Sequence, residues 1–447
     1  MAGSIEAERA SGYRWLVLLV LTLAHSCHIM DRMVVSIVME PVRHEFDLTD
    51  TQLGLISSLG YGLCYGAAVL PMGMVIDRSV RKNVLATILA VWSAMTAVCG
   101  LATSWTMLLA SRCMVGLAES GGSPAGLSLL SDYFPAKERS TAVGLWYLSS
   151  AIGSILTFIL GGMIAAEYGW RMAFFLAGVP GMIMAVIVFL VIREPKRGAS
   201  DAPLAGVPAS DQAPADKLSF KQSLAEIGAR PAAVHILLGV LLTAAAISSY
   251  STWSISFLVR QHGLKLSEAG LTVGLTTGLL GALGGAFFGW LADRSSRRDA
   301  RSNPWRSGVI AAATSVAAMF LGIGSLLTEA TLPALVLVAC YAFFFNSYNG
   351  PANGLLLIVV PSQVRGFTIA LLQLGATLLG FGVAPFVVGQ LSDMIGGSNS
   401  LGWALSIMLL CHPLAAMQFA LAARCVKRNG ADRHDARPEP ARRVARS

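Results

Sequence analysis

Charge is scarce in this sequence: Asp, Glu, Lys and Arg make up 13% of its 447 residues, where a soluble domain carries roughly 25%. With 55% hydrophobic residues and a mean hydropathy of +0.64, a water-soluble globular fold is excluded. The seven cysteines stand singly in or beside apolar stretches and form no CxxC pair. Neither a disulfide framework nor a metal site is expected, and His25, Cys27 and His28 read as cavity or core residues, not ligands. No nucleotide-binding loop, catalytic triad or zinc helix occurs; the glycine-rich GLLGALGG at 278–285 follows no strand and reads as a packing face. An enzyme, a cofactor and a nucleic-acid partner are all unexpected. Work done by this chain has to draw on a gradient, not on ATP hydrolysis.

Long apolar runs are what the sequence does have. A run of about 20 residues spans a bilayer core, and twelve such runs occur, at 14–39, 50–76, 83–103, 106–132, 140–166, 170–192, 232–260, 267–291, 307–328, 331–359, 366–395 and 401–426. The first run carries no small-residue cleavage site followed by a soluble domain, so it reads as a retained helix. An even count puts both termini on one face. Four cations (Arg43, Arg171, Arg260 and Lys265) fall in loops of the other face, Arg32 and Arg112 lie within spans, and the remaining 27 of the 33 crowd the face of the termini. That bias places both termini in the cytoplasm of a multi-pass protein of the cell's inner (plasma) membrane. The expected organisation is a six-helix bundle at 1–193, a linker at 194–230, a second bundle at 231–426 and a basic tail at 427–447. Residues 194–216 are Ala-, Pro- and Asp-rich and flexible. After them, Phe220, Leu224 and Ile227 mark a short helix on the inner membrane face. The tail is expected to be disordered and drawn to anionic lipid.

The ionisable residues inside the apolar runs are few and costly there, about 3 kcal/mol or more each, so they mark a wet cavity or an ion path. Glu119 falls about half-way along the fourth run, where burial favours the neutral carboxyl and suits a group that takes and releases a proton. A permanent helix-locking ion pair is the bland alternative. Asp31 is the second proton candidate, at a similar depth in the first run, on a polar stripe with His25, His28 and Arg32. Arg32 is free to meet Glu119 or an anionic cargo group, for which its fork is suited; His28 is a candidate for cargo contact or proton relay. Arg112 lies two turns from Glu119 and fits a gate or a structural pair. Cavity walls are expected from Tyr61 and Tyr65, from Trp146, from Trp253 in the polar run SSYSTWSIS, and from Asn346 and Asn349 in FFFNSYNGPAN, where Gly350-Pro351 is expected to break the helix.

An internal repeat organises the whole. GMVIDRSVRK (73–82) and GWLADRSSRR (289–298) share G-x-x-x-D-R-x-x-R-[RK] 216 residues apart, and Pro124, Pro135 and Arg139 are echoed by Pro351, Pro361 and Arg365. Two six-helix halves with cargo bound between them follow. Asp77, Arg78, Arg81, Asp293, Arg294 and Arg297 sit at helix ends too far from the midplane to meet cargo, and are expected to clamp the halves in one facing state.

With these blocks, and with GWRMAFFLAGVPG (169–181), the chain resembles the major facilitator superfamily from its first span to its twelfth. Asp31-Arg32, LTDTQLGLISS (48–58) and AESGGSPAGLSLLSDYFP (118–135) are similar to the spinster-like branch; organic-acid symporters related to sialin share the Asp-Arg pair and the span-four glutamate. The resemblance implies an all-α polytopic membrane protein with 12 transmembrane helices in two pseudo-symmetric six-helix bundles. It implies proton-coupled alternating access, with Glu119 as the protonation site and a lipid-like or amphipathic cargo, alternatively a small organic or sugar acid. A monomer is expected to suffice, with cargo, proton and lipid bilayer as its partners. The reading outside this class is a non-transporting membrane sensor, against which the intact charged loops argue.

Overall fold

Backbone polar groups in lipid must bond within their own segment, so apolar runs of this length fold as helices. The computed structural model describes residues 2–197, 219–297 and 303–435, and among them the chain is helical with no strand. Eleven stretches are single helices, or nearly continuous ones, long and apolar enough to cross a membrane: Gly12–Phe46, Asp50–Arg78, Arg81–Gly100, Thr141–Tyr168, Trp170–Val191, Pro231–His262, Leu266–Ser296, Trp305–Leu327, Thr331–Val359, Gln363–Ile395 and Ser400–Arg428. The remaining run, the fourth, is divided into Trp105–Glu119 and Gly122–Tyr133, neither long enough alone.

Proline causes the division. Its ring clashes with the carbonyl four residues back, and it is tolerated in a first turn where no ladder bond is lost. Pro124 is the third residue of Gly122–Tyr133 and would oppose Ser120, so the ladder stops at Glu119. The tenth span behaves alike: Thr331–Phe344 ends, four residues turn, and Asn349–Val359 begins with Pro351 again third. The break therefore precedes Gly350-Pro351, where the sequence suggested it, by one turn.

Four spans carry a π-helical stretch: Leu55–Leu59, Thr157–Gly161, Gly274–Leu280 and Ala376–Val383. These are the second, fifth, eighth and eleventh spans, the same helix of each three-helix unit. Here the halves meet, second span on eleventh and fifth on eighth. A Cβ on Gly62 would stand 2.6 Å from Cα of Gly382, so glycine is what lets those two backbones touch. Contacts between the halves concentrate from this level toward the end that carries residues 40–50, the arginine-poor end. At the arginine-rich end Leu70, Met74, Asp77 and Arg78 of the second span are exposed, as are Asp293 and Arg294 of the eighth. A cleft between the halves thus opens toward the arginine-rich end.

The short helix after the linker spans Phe220–Gly228, with Ile227 buried and Phe220 edge-on to Phe367 at 5.3 Å. Most of the expected linker, residues 198–218, lies outside the described residues, as do 436–447 of the tail. The last helix continues to Asp435, past its expected end at 426, because no proline interrupts the chain before Pro438.

Candidate functional site

Glu119 closes its helix with its side chain fully buried. The second span reaches it because Gly116 lacks a side chain: a Cβ there would overlap the Tyr61 carbonyl. That approach lets the Tyr61 hydroxyl donate to Glu119 Oε2 at 2.5 Å. His28 Nδ1 stands 3.8 Å from the same oxygen. Apart from these, Glu119 has only the neighbouring Asp31 carboxyl to share a proton with.

One turn of helix away, Asp31 is satisfied differently. Thr96 donates to its Oδ1 at 2.6 Å, and Arg112 Nη1 approaches the same oxygen at 3.3 Å. Both members of that ion pair are buried, and Arg112 Nε and Nη2 have no further partner. Arg112 is thus a structural counter-ion to Asp31 at mid-depth, not a gate at the outer surface. Asp31 and Glu119 lie in each other's field, so the buried group holds two carboxyls and one directly paired guanidinium.

Arg32 makes no ion pair with Glu119 within 4.0 Å, the partner that sequence alone offered it. Its guanidinium instead lies 4.0 Å over the ring of Phe381, in the π-helical stretch of the eleventh span, and 5.4 Å from Tyr61. Nε and Nη2 are buried without partners. Arg32 therefore bridges the two halves by cation–π contact and keeps donors unspent. Such an arrangement suits an anion arriving in the cleft.

Of the expected cavity aromatics, Tyr61 and Tyr65 lie beside this group, their rings tilted 31° to each other with centroids 5.9 Å apart. Trp146 is buried within the first half against His25, ring centroids 4.0 Å apart. Trp253 is fully buried and donates its indole N–H to the Pro385 carbonyl at 2.8 Å, which makes it a packing residue, not part of the cleft wall. Asn346 is half-buried against the glycines of the eighth span, and Asn349, exposed, accepts from Asn353 at 2.9 Å.

The loop residues separate by role. Asp77 has Arg197 of its own half at 3.9 Å, and Arg294 lies over Trp290 of its own helix. Arg81 is buried and binds Asp132 (2.5 Å) and Glu194 (2.8 Å), both in its own half. It staples one bundle and touches nothing across the cleft. The Arg297 side chain lies outside the described residues.

A second charged group joins the halves at the arginine-poor end, and sequence reading missed it. Arg260 of the seventh span grips Asp50 with both nitrogens (2.8 and 2.9 Å) and Glu40 at 2.7 Å. Ser392 donates to Asp50 at 2.6 Å. Asp393 accepts from the backbone N–H of Asp50 and Thr51, at the free N-terminus of the second span, where a carboxylate is favoured. The available signal was that Arg260 is one of only four cations on that face.

The molecule resembles known proteins over nearly its full length. Residues 21–385 match the family model of the Major Facilitator Superfamily. An MFS-type efflux pump of Mycolicibacterium smegmatis is 30% identical, covering 91% of this chain and 93% of the pump. The probable galactarate/D-glucarate transporter GudP of Bacillus subtilis is 24% identical over 91% of this chain and 94% of its own. The sphingosine-1-phosphate transporter SPNS2 of Danio rerio is 24% identical over 90% and 83%. Among solved structures, a bacterial homologue of the human lysosomal transporter spinster, inward-facing and unoccupied, superposes with a TM-score of 0.82 at 25% identity, covering 96% of this chain and 99% of that one. A helical protein in two facing halves, charged at mid-depth and matched in this way, belongs to the Major Facilitator Superfamily of transporters, in which it is most similar to the spinster-like branch.

Proposed function

We propose that this chain is a proton-coupled secondary transporter of an amphipathic organic molecule with an anionic head, working by alternating access. One observation carries the coupling: Glu119 is fully buried at a helix break and has no Lys or Arg within ion-pair distance, only the His28 ring at 3.8 Å, while Asp31 beside it already has Arg112. A buried carboxylate without a counter-ion is costly, so a proton on Glu119 changes the stability of this packing. Binding and loss of that proton then bias the two facing states by the difference in its affinity for each.

The cargo assignment rests on the cleft. Among the described residues Arg32 is the mid-depth cation that has unspent donors and no carboxylate partner, and it is flanked by the rings of Phe381 and Tyr61. No Lys or Arg is buried in the second half among the described residues. A diacid needs a second cation, whereas an anionic head on an apolar body needs one. The relatives' names cover both classes. The charge bias supports a cytoplasmic position for both termini, and the charged loops of the arginine-rich end support a clamp that closes in the opposite facing state.

Uptake into proteoliposomes under an imposed pH gradient tests this reading, with a lysolipid or sphingoid phosphate as cargo and a sugar diacid as comparison. Glu119→Gln is expected to abolish gradient-driven uptake and to leave counterflow exchange intact. An unchanged pH dependence in that variant sinks the coupling. Saturable flux of the diacid alone sinks the cargo assignment, and binding without any flux identifies a sensor.

A further inference from the structure

Glu119 is sealed on every side in a structure whose cleft is open, so the proton assigned to it needs a conduit to water. We infer that His28 and His25 are that conduit, a two-ring relay joining Glu119 to the cleft without passing the cargo site at Arg32. The inference rests on Glu119 being the proton carrier.

Four observations support the relay. The first is an unexplained atom: His28 is 3% exposed, and its Nδ1, 3.8 Å from Glu119 Oε2, has no hydrogen-bond partner. Unpaired nitrogens at that depth are rare and costly. Second, His25 stacks on His28, ring centroids 5.3 Å apart and planes 13° from parallel. Third, the hydroxyls around His25 fix its tautomer. Ser149 donates to the Trp146 carbonyl at 2.5 Å, so it accepts from His25 Nδ1 at 2.6 Å; Nε2 is left to accept from Ser123 at 3.3 Å. Fourth, a small cavity touches both rings, walled by Leu21, Leu85, Gly126 and Trp146, with room for about one water molecule.

The direction follows from the helix. His25 precedes Arg32 by seven residues, two turns along the same face, and that face meets Phe381 of the other half. His25 and Ser123 are partly exposed, unlike His28 and Glu119. The path therefore runs from sealed carboxyl to sealed ring to open ring. His28 takes the Glu119 proton on Nδ1 as it yields its Nε2 proton to the water, and the water hands one on to His25 or to the cleft. His28 gains one proton as it loses one. At His25 the proton arrives on Nε2 as Ser123 turns away and leaves from that nitrogen to the cleft, because Ser149 on Nδ1 spends its own proton on the Trp146 carbonyl. No lasting charge therefore accumulates beside Arg32. The other titratable groups around the relay are Arg32 and Asp31 on the same helix, Tyr61 and Tyr65 from the second span and Arg112 from the fourth. The third and fifth spans present Trp92, Thr96, Trp146 and Ser149.

Gradient-driven uptake and counterflow are compared in proteoliposomes for wild type, Glu119→Gln, His28→Gln and His25→Ala. The expected result is a loss of about tenfold or more in gradient-driven uptake for both histidine variants, the scale of a lost proton-transfer group, with counterflow kept. Added imidazole, which reaches the partly open His25 site, is expected to restore His25→Ala and not His28→Gln. Wild-type coupled uptake in His28→Gln overturns the relay, as does loss of counterflow in it, which would make His28 a cargo or packing residue. Failure of imidazole to restore His25→Ala overturns it too. If Glu119→Gln keeps its coupling, the carrier assignment itself has failed; if it loses coupling while His28→Gln does not, only the relay has.

Discussion

The two halves share a backbone plan and differ in what they bury. In the first half Asp31, Arg112, Glu119, Arg81 and His28 are all buried; in the second, among the described residues, no Asp, Glu, Lys or Arg is, and the buried polar side chains are Ser, Thr and Tyr hydroxyls with His412 and the Trp253 indole. The register makes the contrast sharp. Pro124 and Pro351 stand 227 residues apart, each third in the helix after its break. The same offset carries Glu119 onto Asn346. Duplication preserved the hinge and left one half ionisable, the other a neutral wall. The proposed coupling needs only one half to read the proton, provided both move.

Cutting a counter-ion should therefore hurt the first half far more than the second. Arg112→Ala strands the Asp31 carboxylate in a dry site, a loss of about 3–5 kcal/mol, read as a large fall in the thermal unfolding midpoint of the purified protein. Asp31→Asn in the same chain should recover most of it, because the stranded charge is then gone. The matching cut in the second half, His412→Phe, removes one 3.2 Å contact with Tyr341 and should cost about 1 kcal/mol. Equal losses from the two would end the contrast.

The latch at the arginine-poor end is where the halves hold each other by charge. Arg260→Ala leaves Glu40 without its cation and Asp50 with only Arg43 at 3.8 Å and the Ser392 hydroxyl. Because the guanidinium is 17% exposed, the loss should be about 2 kcal/mol, below the fully buried range. All of it falls on the state that is closed at this end, a shift of roughly 30-fold in the equilibrium between facing states. A cysteine at Ser267, close in size to the residue it replaces and beside Gly162 of the other half, should become reactive to a bulky thiol reagent in that variant. Unchanged reactivity means the glycine contacts, not the charges, hold this end shut.

How far the sequence could be read follows the same division. Twelve apolar runs, the charge bias and the two G-x-x-x-D-R loops are legible because lipid imposes length and sign rules on each segment alone. Glu119, Asp31 and Arg112 stood out for the same reason, as charges where none is cheap. Pairing was not legible. Arg112 takes Asp31, and Arg32 turns to Phe381, because helices from distant parts of the chain converge there. Trp253 looked like cavity wall from its polar neighbours, yet only the eleventh span's position shows its N–H spent on Pro385. The π-helical stretches leave no composition signal at all; they come from how four helices pack.

In the neutral wall, loss of an amide should touch cargo and leave the proton alone. Asn346→Ala removes one polar group facing the glycines of the eighth span, worth about 1 kcal/mol, and a rise of about fivefold in the KM for cargo is expected with the pH profile of uptake unmoved. A displaced pH profile would mean that the second half also reads the proton.

The smallest effect is expected at Trp253. The Pro385 carbonyl that accepts its indole N–H lies at the start of Ala384–Ile395, where the helix ladder already supplies a donor to that oxygen. Trp253→Phe therefore removes a second bond, not the only one, and keeps most of the buried ring. A stability loss of about 0.5–1 kcal/mol follows, with uptake within about twofold of wild type. Were transport instead to collapse while the thermal midpoint held, the indole would have to meet cargo in the other facing state, and the second half would be more than a wall.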